Sequence, residues 1–217
     1  MAKIVFHIVT IFPEAFESYL GTSILKRAIQ VGIIQVKFYN PRDFTDDKHG
    51  KTDDRPYGGG PGMVMYAMPI LKAVETIKYQ IKNAKCQIIL FSASGKQFDN
   101  QMARRISKKY RDIILIAGHY EGVDLRVKKA LRAEELSVGP YILTGGELPA
   151  MILIDSIGRQ ISGVLGKEES LEEGRAAGRE VYTRPEVIEF RGKSYRVPKV
   201  LLSGNHKKIE EYRRDNL

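Results

Sequence analysis

The stretch QIILFSASGKQFDNQMARRISKKYRDIILIAGHYEGVD (87–124) contains two apolar runs separated by a basic segment. The runs QIILF (87–91) and DIILIA (112–117) are rich in β-branched residues, which is typical of strands buried in a parallel sheet. The basic segment 98–110 is predicted to form a helix between them. A strand, a helix and a second strand in this order indicate an α/β fold.

The same alternation continues on both sides of this stretch. Further predicted elements are strands at 3–10, 33–39 and 135–138, and helices at 22–32, 69–81 and 147–161. Thr22 and Gly32 are expected at the two ends of the first helix. With 217 residues, of which 43% are hydrophobic, the chain is long enough to bury a substantial core.

The composition limits the kinds of partner and the compartment that are expected for this protein. The net charge is +9, and residues 191–217 contain eight Lys and Arg against three acids. This charge favours a polyanionic partner, most often a nucleic acid, although composition alone also fits a merely soluble basic protein. The single cysteine, Cys86, excludes an internal disulfide and suits a reducing cytoplasm. No apolar run approaches the roughly 18 residues of a membrane span, so no membrane association is expected.

Changes in composition along the chain predict three regions. Residues 1–165 are predicted to form the α/β domain. Residues 166–181 are charged and punctuated by glycine, without a sustained apolar period, and are predicted to be a flexible linker. Residues 182–217 are predicted to form a small second domain that ends in a basic helix.

Three loops with small residues follow predicted strands. They are SASGK (92–96), GHYEGVD (118–124) and VGPYILTGGELP (138–149). Open α/β sheets bind ligands beyond the carboxyl ends of their strands, so the three loops together predict a ligand pocket. Each loop by itself also fits an ordinary tight turn.

The four histidines lack metal-ligand spacing, and the chain has no G-x-S-x-G elbow, so a metal cage and a serine hydrolase are both disfavoured.

The loop DDRPYGGGPGM (53–63) contains four glycines and two prolines. These residues specify a loop of defined shape, because glycine reaches unusual dihedral angles and proline removes a backbone donor. The Lys and hydroxyl residue of a phosphate-binding loop are absent. From the residues alone, the ligand of this loop stays open.

Seven motifs carry a resemblance to a known family. They are IFPEAF (11–16), PRDFTDDKHGKTDDRPYGGGPGM (41–63), GHYEGVD (118–124), YILTGGELPAMILID (141–155), GVLG (163–166), YTRPEV (182–187) and VLLSGNH (200–206). In content and order, they closely resemble the bacterial tRNA (guanine-N1)-methyltransferases of the TrmD family. The resemblance extends over nearly the whole chain.

The resemblance implies a SPOUT-type α/β domain with a deep trefoil knot, followed by a small, mostly helical carboxyl-terminal domain. It implies a cytoplasmic homodimer whose active sites lie at the subunit interface. The reaction it implies is methyl transfer from S-adenosylmethionine to N1 of guanosine-37 of tRNA, immediately 3′ to the anticodon. Magnesium dependence is implied as well.

The family motifs also assign a cofactor pocket. By resemblance, it is lined by Leu90, Ser92, Gly95, Gly118, Tyr120, Glu121, Gly122, Ser137, Gly139, Tyr141, Leu143, Gly145 and Gly146. The glycines leave room for adenine and ribose against the backbone. Glu121 is placed near the methionine end of the cofactor, where a carboxylate suits an ammonium or sulfonium charge or a magnesium ion.

Catalytic and substrate-binding residues follow from the same motifs. Arg159 matches the family's catalytic arginine, whose guanidinium stabilises the negative charge that develops on guanine O6. From the residues alone, Asp155 and Arg159 also fit an ion pair within one helix. The residues expected to contact tRNA are Asp53, Asp54, Arg55 and Gly59, beside a flipped-out base, and Ser203, Asn205 and His206. No residue is assigned as a metal ligand.

Two departures from the family pattern affect the expected chemistry. The linker aspartate that serves the family as general base corresponds here to Gly174, so Glu173 and then Glu172 are the candidates for this role. Both also fit solvated linker charges. The family also normally continues beyond the position of Leu217. Two rival functions are a catalytically weak or inactive relative that only binds cofactor and tRNA, and a knotted methyltransferase with another RNA target.

Overall fold

The computed structural model describes residues 4–81, 85–165 and 181–215. The chain divides into two compact units, Met1–Gly166 and Lys167–Leu217. All but Val181 of the predicted linker 166–181 lies outside the described residues, as do Glu172 and Glu173. In the described part of the chain, no helix is long and apolar enough to cross a membrane.

The first unit contains the strands β1 (Ile4–Val9), β2 (Ile34–Tyr39), β3 (Asp53–Asp54), β4 (Val64–Met65), β5 (Cys86–Gln97), β6 (Asp112–Ile116) and β7 (Glu134–Ser137). Five of them form a parallel sheet in the order β2-β1-β6-β5-β7, and β3 and β4 form a separate antiparallel pair. Its helices are α1 (Glu17–Leu20), α2 (Ser23–Gln30), α3 (Ala67–Gln80), α4 (Asn100–Lys109), α5 (Leu125–Leu131) and α6 (Glu147–Gly158), with 3-10 turns at Pro13–Phe16 and Pro41–Phe44.

Helices cover both faces of the sheet, as a buried parallel sheet requires. The central strand β6 is wholly buried, and its side chains alternate between the two sides. Ile113 and Leu115 pack in a core with α2, α4 and α6, whereas Ile114 and Ile116 pack in a second core with α3 and α5. The predicted α/β architecture with a buried parallel sheet is therefore confirmed.

The element ends follow local chemistry. Gly32 lies just past α2 with φ +73°, as expected of a residue that ends a helix. The Asp99 side chain accepts a hydrogen bond of 2.7 Å from the Met102 amide and so caps α4. The helix predicted at 147–161 ends at Gly158, so that Arg159 is its carboxyl-terminal cap. The seven-residue helix α5 and the β3–β4 pair were not predicted.

The prediction of a loop at 92–96 after a short strand was wrong. Residues 92–96 belong to β5, which shifts its register on β7 between Phe91 and Lys96 and so forms a bulge. Gly95 makes this possible, because a Cβ atom there would lie 2.8 Å from backbone atoms of Glu135 and Leu136. The close approach of two backbones, rather than a turn, explains the small residues.

A buried histidine lies within the sheet. His7 of β1 has 0% exposure, and its Nε2 lies 3.0 Å from Oδ1 of Asp112, while its Nδ1 lies 3.3 Å from the Tyr39 hydroxyl. Burial lowers the pKa of His7, and the hydrogen bond with Asp112 offsets this only in part. The folded protein therefore resists protonation of this imidazole.

We expect the free energy of unfolding to fall as the pH drops below 6.5, the ordinary pKa of histidine. Below that pH, the unfolded chain binds a proton that the folded His7 does not, with a limiting slope of about 1.4 kcal/mol per pH unit. Urea unfolding between pH 7.5 and 5 measures this slope. His7→Gln should flatten it, and the exposed control His49→Gln should not. Equal slopes in wild type and His7→Gln would contradict the prediction.

The second unit combines a hairpin with two helices. The antiparallel strands are β8 (Val187–Phe190) and β9 (Lys193–Arg196), and the helices are α7 (Lys199–Leu202) and α8 (His206–Asp215). The hairpin was not predicted. Helix α8 buries none of its side chains and carries Lys207, Lys208, Arg213 and Arg214. The expected basic helix near the carboxyl terminus is therefore present.

Candidate active site

A cavity of about 420 Å³ opens beside the bulge of β5 and at the carboxyl ends of β6 and β7. The structure brings together every predicted cofactor residue except Gly95 in its lining. The lining residues from that prediction are Leu90, Ser92, Gly118, Tyr120, Glu121, Gly122, Ser137, Gly139, Tyr141, Leu143, Gly145 and Gly146. Three chain segments that are far apart in sequence thus converge on one pocket.

Close backbone contacts hold the cavity wall. After β7, the chain returns to the end of β6, where the Gly146 amide donates a 2.7 Å hydrogen bond to the Gly118 carbonyl. A Cβ atom on Gly146 would lie 2.5 Å from the Ala117 Cα atom. His119 and Gly145 form an antiparallel bridge beside this contact. The glycines at this position therefore permit the two segments to touch.

The glycine loop 53–63 contacts the segment that bounds the cavity. The Glu121 amide donates a 2.9 Å hydrogen bond to the Met63 carbonyl, and the Met65 amide donates another of 2.9 Å to Gly122. A Cβ atom on Gly62 would lie 2.4 Å from the Glu121 Cγ atom. The predicted substrate loop therefore lies next to the predicted cofactor residues, whereas Gly59 has open space around its Cα atom.

The two aspartates at the start of this loop differ in their surroundings. The Asp54 carboxylate accepts hydrogen bonds from the Tyr66 hydroxyl at 2.7 Å and the Arg55 amide at 2.8 Å, and it pairs with Lys51 at 3.2 Å. These contacts, that with Tyr66 above all, lower the pKa of Asp54 from 3.8 to about 2. Asp54 thus ties the loop to β4 and its flanking residue, and Asp53 is the neighbouring carboxylate left for a ligand.

We expect Tyr66→Phe to raise the pKa of Asp54 towards 3.8, because it removes the strongest hydrogen bond to the carboxylate. Amide hydrogen exchange at Arg55 should accelerate about five- to tenfold as the loop opens more often. NMR titration and exchange measure both effects. Tyr57→Phe, at a fully exposed ring, is the matched control. Unchanged exchange in Tyr66→Phe would show that this hydrogen bond does not hold the loop.

Sequence reasoning missed His119 as a functional group of the cavity lining, and it missed Glu147, which contacts His119. Glu147 is only 8% exposed, although it begins the first turn of α6, and its Oε1 accepts a 2.8 Å hydrogen bond from Thr10. Its Oε2 lies 3.6 Å from Nδ1 of His119. The sequence feature that could have indicated Glu147 is its place as a carboxylate in the first turn of a mostly apolar helix.

Arg159 is not brought to this cavity within one chain. It lies at the carboxyl end of α6, whereas Gly146 and the cavity lie at the amino end, about 18 Å away along a 12-residue helix. Asp155, the alternative partner of Arg159, accepts a hydrogen bond from the Tyr19 hydroxyl. The remaining predicted tRNA-contacting residues, Ser203, Asn205 and His206, belong to the second unit.

The described residues contain no group of three or more His, Cys, Asp or Glu side chains that could hold a metal ion. The described side chains therefore do not form a cage for a magnesium ion. The cavity fits a nucleoside cofactor better than it fits a metal ion. The cavity has the size of a small-molecule site, and its wall includes five glycines, Gly118, Gly122, Gly139, Gly145 and Gly146, whose backbone an adenosine can approach closely.

Known proteins match this chain over nearly its whole length. The family model described as tRNA (Guanine-1)-methyltransferase TrmD matches residues 4–217. A tRNA (guanine-N(1)-)-methyltransferase of Clostridioides difficile is 50% identical over 97% of this chain and 90% of its own length. Proteins of the same name from Carboxydothermus hydrogenoformans and Thermomicrobium roseum are 49% and 50% identical, over 95% and 96% of this chain and 80% and 77% of their own lengths. The chain therefore belongs to the tRNA (Guanine-1)-methyltransferase TrmD family.

Proposed function

We propose that this protein transfers a methyl group from S-adenosylmethionine to N1 of guanosine-37 of tRNA. The observation that carries the proposal is the strand-end cavity in a chain of this family, because it unites the predicted cofactor residues beside the predicted substrate loop. The active function is favoured over a binding-only relative, since the relatives that match nearly the whole chain are named as methyltransferases.

The cavity residues are proposed to bind and orient the cofactor, which supplies an electrophilic methyl group when bound. Backbone groups around Gly139 and Gly145 face the cavity and can read the polar edge of an adenine. Glu121 lies between the cavity and the glycine loop, where its carboxylate suits the cofactor's cationic end. Asp53 and Arg55 are proposed to contact the extruded base, while Asp54 holds the loop.

Arg159 is proposed to stabilise the negative charge that develops on guanine O6 as N1 loses its proton. The length of α6 supports a site made by two chains, because it separates Arg159 from the cavity of the same chain. In a symmetric homodimer, Arg159 of one chain can lie at the cavity of the other. We therefore propose a homodimer with its active sites at the interface.

The trefoil knot and a mostly helical tRNA-binding second domain are also proposals. The return of the chain from β7 to the end of β6, held by the Gly146–Gly118 hydrogen bond, supports a knot in this half of the unit. The basic helix α8 supports tRNA binding by residues 182–217.

Mass spectrometry tests the proposed function. The protein is incubated with labelled S-adenosylmethionine and a tRNA transcript that has guanosine at position 37. The label is expected in N1-methylguanosine at that position, and a transcript with adenosine there should stay unlabelled. Label elsewhere would indicate another RNA target, and cofactor and tRNA binding without label would indicate the binding-only alternative.

We also expect tRNA binding to depend on Lys207 and Lys208 of α8. Replacing both by Glu should reduce the slope of log affinity against log salt by about 0.7 to 0.9 for each phosphate that the variant no longer neutralises, with cofactor affinity unchanged. Fluorescence titrations between 50 and 300 mM salt measure the slope. Lys26→Glu with Arg27→Glu, on the exposed side of α2, makes the same change in net charge and serves as control. Equal slopes for both double variants would mean that the RNA binds elsewhere.

A further inference from the structure

We propose that Glu147 is a positioning residue for His119, and that Nε2 of His119 is a hydrogen-bond acceptor presented to the cavity. The inference rests on the proposed function only in taking this cavity as the ligand site. It assigns a directed hydrogen-bond acceptor to a wall that also contains glycines, serines and the Glu121 carboxylate. It follows from two hydrogen bonds, from Phe12 to Thr10 and from Thr10 to Glu147, and from the contact of Glu147 with the His119 ring.

The direction of donation in these hydrogen bonds is set by the backbone amide of Phe12. The Phe12 amide donates a 3.0 Å hydrogen bond to Oγ1 of Thr10, so the Thr10 hydroxyl proton is directed away from Phe12. That hydroxyl donates to Oε1 of Glu147 at 2.8 Å. The Glu147 carboxylate can only accept, and its second oxygen, Oε2, faces Nδ1 of His119 at 3.6 Å. The complementary state of His119 therefore carries its proton on Nδ1.

Packing fixes the imidazole in this orientation. The ring lies edge-on to Phe12, with ring centroids 4.9 Å apart, and makes a T-shaped contact with Tyr120 at 5.2 Å. A Cβ atom on Gly145 would lie 2.3 Å from Oε2 of Glu147 and 2.5 Å from Nδ1 of His119. Only glycine at this position lets the carboxylate and the imidazole face each other.

His119 lines the cavity, although one of its ring nitrogens is buried. Nδ1 has no hydrogen-bond partner among the described residues, yet the side chain as a whole is 26% exposed. The exposure therefore belongs to other atoms of the side chain, and we assign it to the Nε2 side of the ring because His119 is part of the cavity lining. At 3.6 Å, Nδ1 and Oε2 are just beyond hydrogen-bond distance. Sites without ligand often show such long contacts, which shorten when the ligand binds.

An acceptor at Nε2 takes a ligand with an N–H or O–H donor. Within the proposed function this donor comes from the cofactor, as a ribose hydroxyl or the ammonium group, or from an N–H of the target guanine. A carboxylate behind Nδ1 makes Nε2 a better acceptor, because it stabilises the positive charge that the ring gains.

The first experiment reads the proton position in the ligand-free protein by long-range ¹H–¹⁵N NMR of the imidazole. Wild type is expected to carry the proton on Nδ1. In Glu147→Gln, the amide oxygen stays with Thr10 and the NH₂ group turns to His119, so the proton should move to Nε2. Glu14→Gln, at an exposed carboxylate, should change nothing. A proton on Nε2 in wild type would overturn the proposal, whatever reaction the protein catalyses.

The second experiment asks which ligand group Nε2 meets. The amide of His119→Gln reaches the Nε2 position, whereas that of His119→Asn reaches only Nδ1. We expect His119→Asn to weaken cofactor affinity, tRNA KM or the single-turnover rate five- to tenfold, and His119→Gln to restore most of that loss. A loss in cofactor affinity by calorimetry identifies a cofactor donor, and a loss confined to tRNA KM or single-turnover rate identifies the guanosine. If His119→Asn changes none of the three, Nε2 binds no ligand and the proposal is wrong.

Discussion

Replacing Glu173 by Gln is expected to lower the single-turnover rate of methyl transfer by roughly 10² to 10⁴. Guanine N1 is a weak acid that is neutral at physiological pH, so a group must take its proton as the new bond forms. The resemblance to the family places the linker aspartate that is expected to take this proton at the position of Gly174, and Glu173 is the adjacent carboxylate. The Glu173 side chain has one methylene group more than an aspartate, so its carboxylate reaches further. Gln keeps the shape of the side chain but cannot accept the proton, so cofactor affinity should stay unchanged.

Two variants make this prediction specific. Glu168→Gln, in the same charged segment, is the control and should keep the full rate. A loss in Glu172→Gln, with Glu173→Gln unaffected, would move the role to Glu172. If both keep the full rate, the base lies outside this pair, and Asp53 is the next candidate. Asp54 is less suited, because its low pKa of about 2 makes it a poor proton acceptor.

The second large effect is expected from mixing two inactive variants. Arg159→Ala should lower the rate by about 10² to 10³, since it removes a charge that acts in the transition state. Gly145→Leu should abolish cofactor binding, because Gly145 lines the cavity and the new side chain would occupy it and displace His119, whose Nδ1 would lie 2.5 Å from the new Cβ atom. In a heterodimer of the two variants, the intact cavity of one chain meets Arg159 of the other. Such heterodimers, purified with two different tags, should recover about half of the wild-type rate.

A reciprocal heterodimer provides the control for this experiment. It pairs a wild-type chain with a chain that carries both Arg159→Ala and Gly145→Leu. If the sites form between chains, each site lacks one component and this heterodimer should be inactive. If each site forms within one chain, the result is the opposite: the double-variant heterodimer keeps about half of the rate and the mixed pair stays inactive. That outcome would overturn the proposed interface site.

Elements with a strong apolar pattern were predicted well, and short or irregular ones were not. The strand at 112–117 and the helix at 98–110 were predicted nearly at their observed bounds, because apolar periodicity records which side chains are buried. For the strand at 87–91 only the start was predicted, since β5 continues to Gln97. The β3–β4 pair escaped prediction because each strand has only two residues. The bulge of β5 escaped because its small residues look like a turn, whereas their actual constraint is the neighbouring backbone of Glu135 and Leu136.

The α/β class, the family and most of the predicted cofactor residues could be read from the amino-acid sequence, because they depend on local pattern and on motifs that persist in order. Which of those residues share a site became clear only from the folded chain. The fold gives the adjacent residues Asp53 and Asp54 different surroundings, because only Asp54 accepts the hydrogen bond from Tyr66. It places Arg159 at the carboxyl end of α6, whereas the cavity lies at the amino end. It also joins Thr10, His119 and Glu147, which are up to 137 positions apart. Directed hydrogen bonds between distant segments leave no periodic trace in a sequence, so they appear only once the chain is folded.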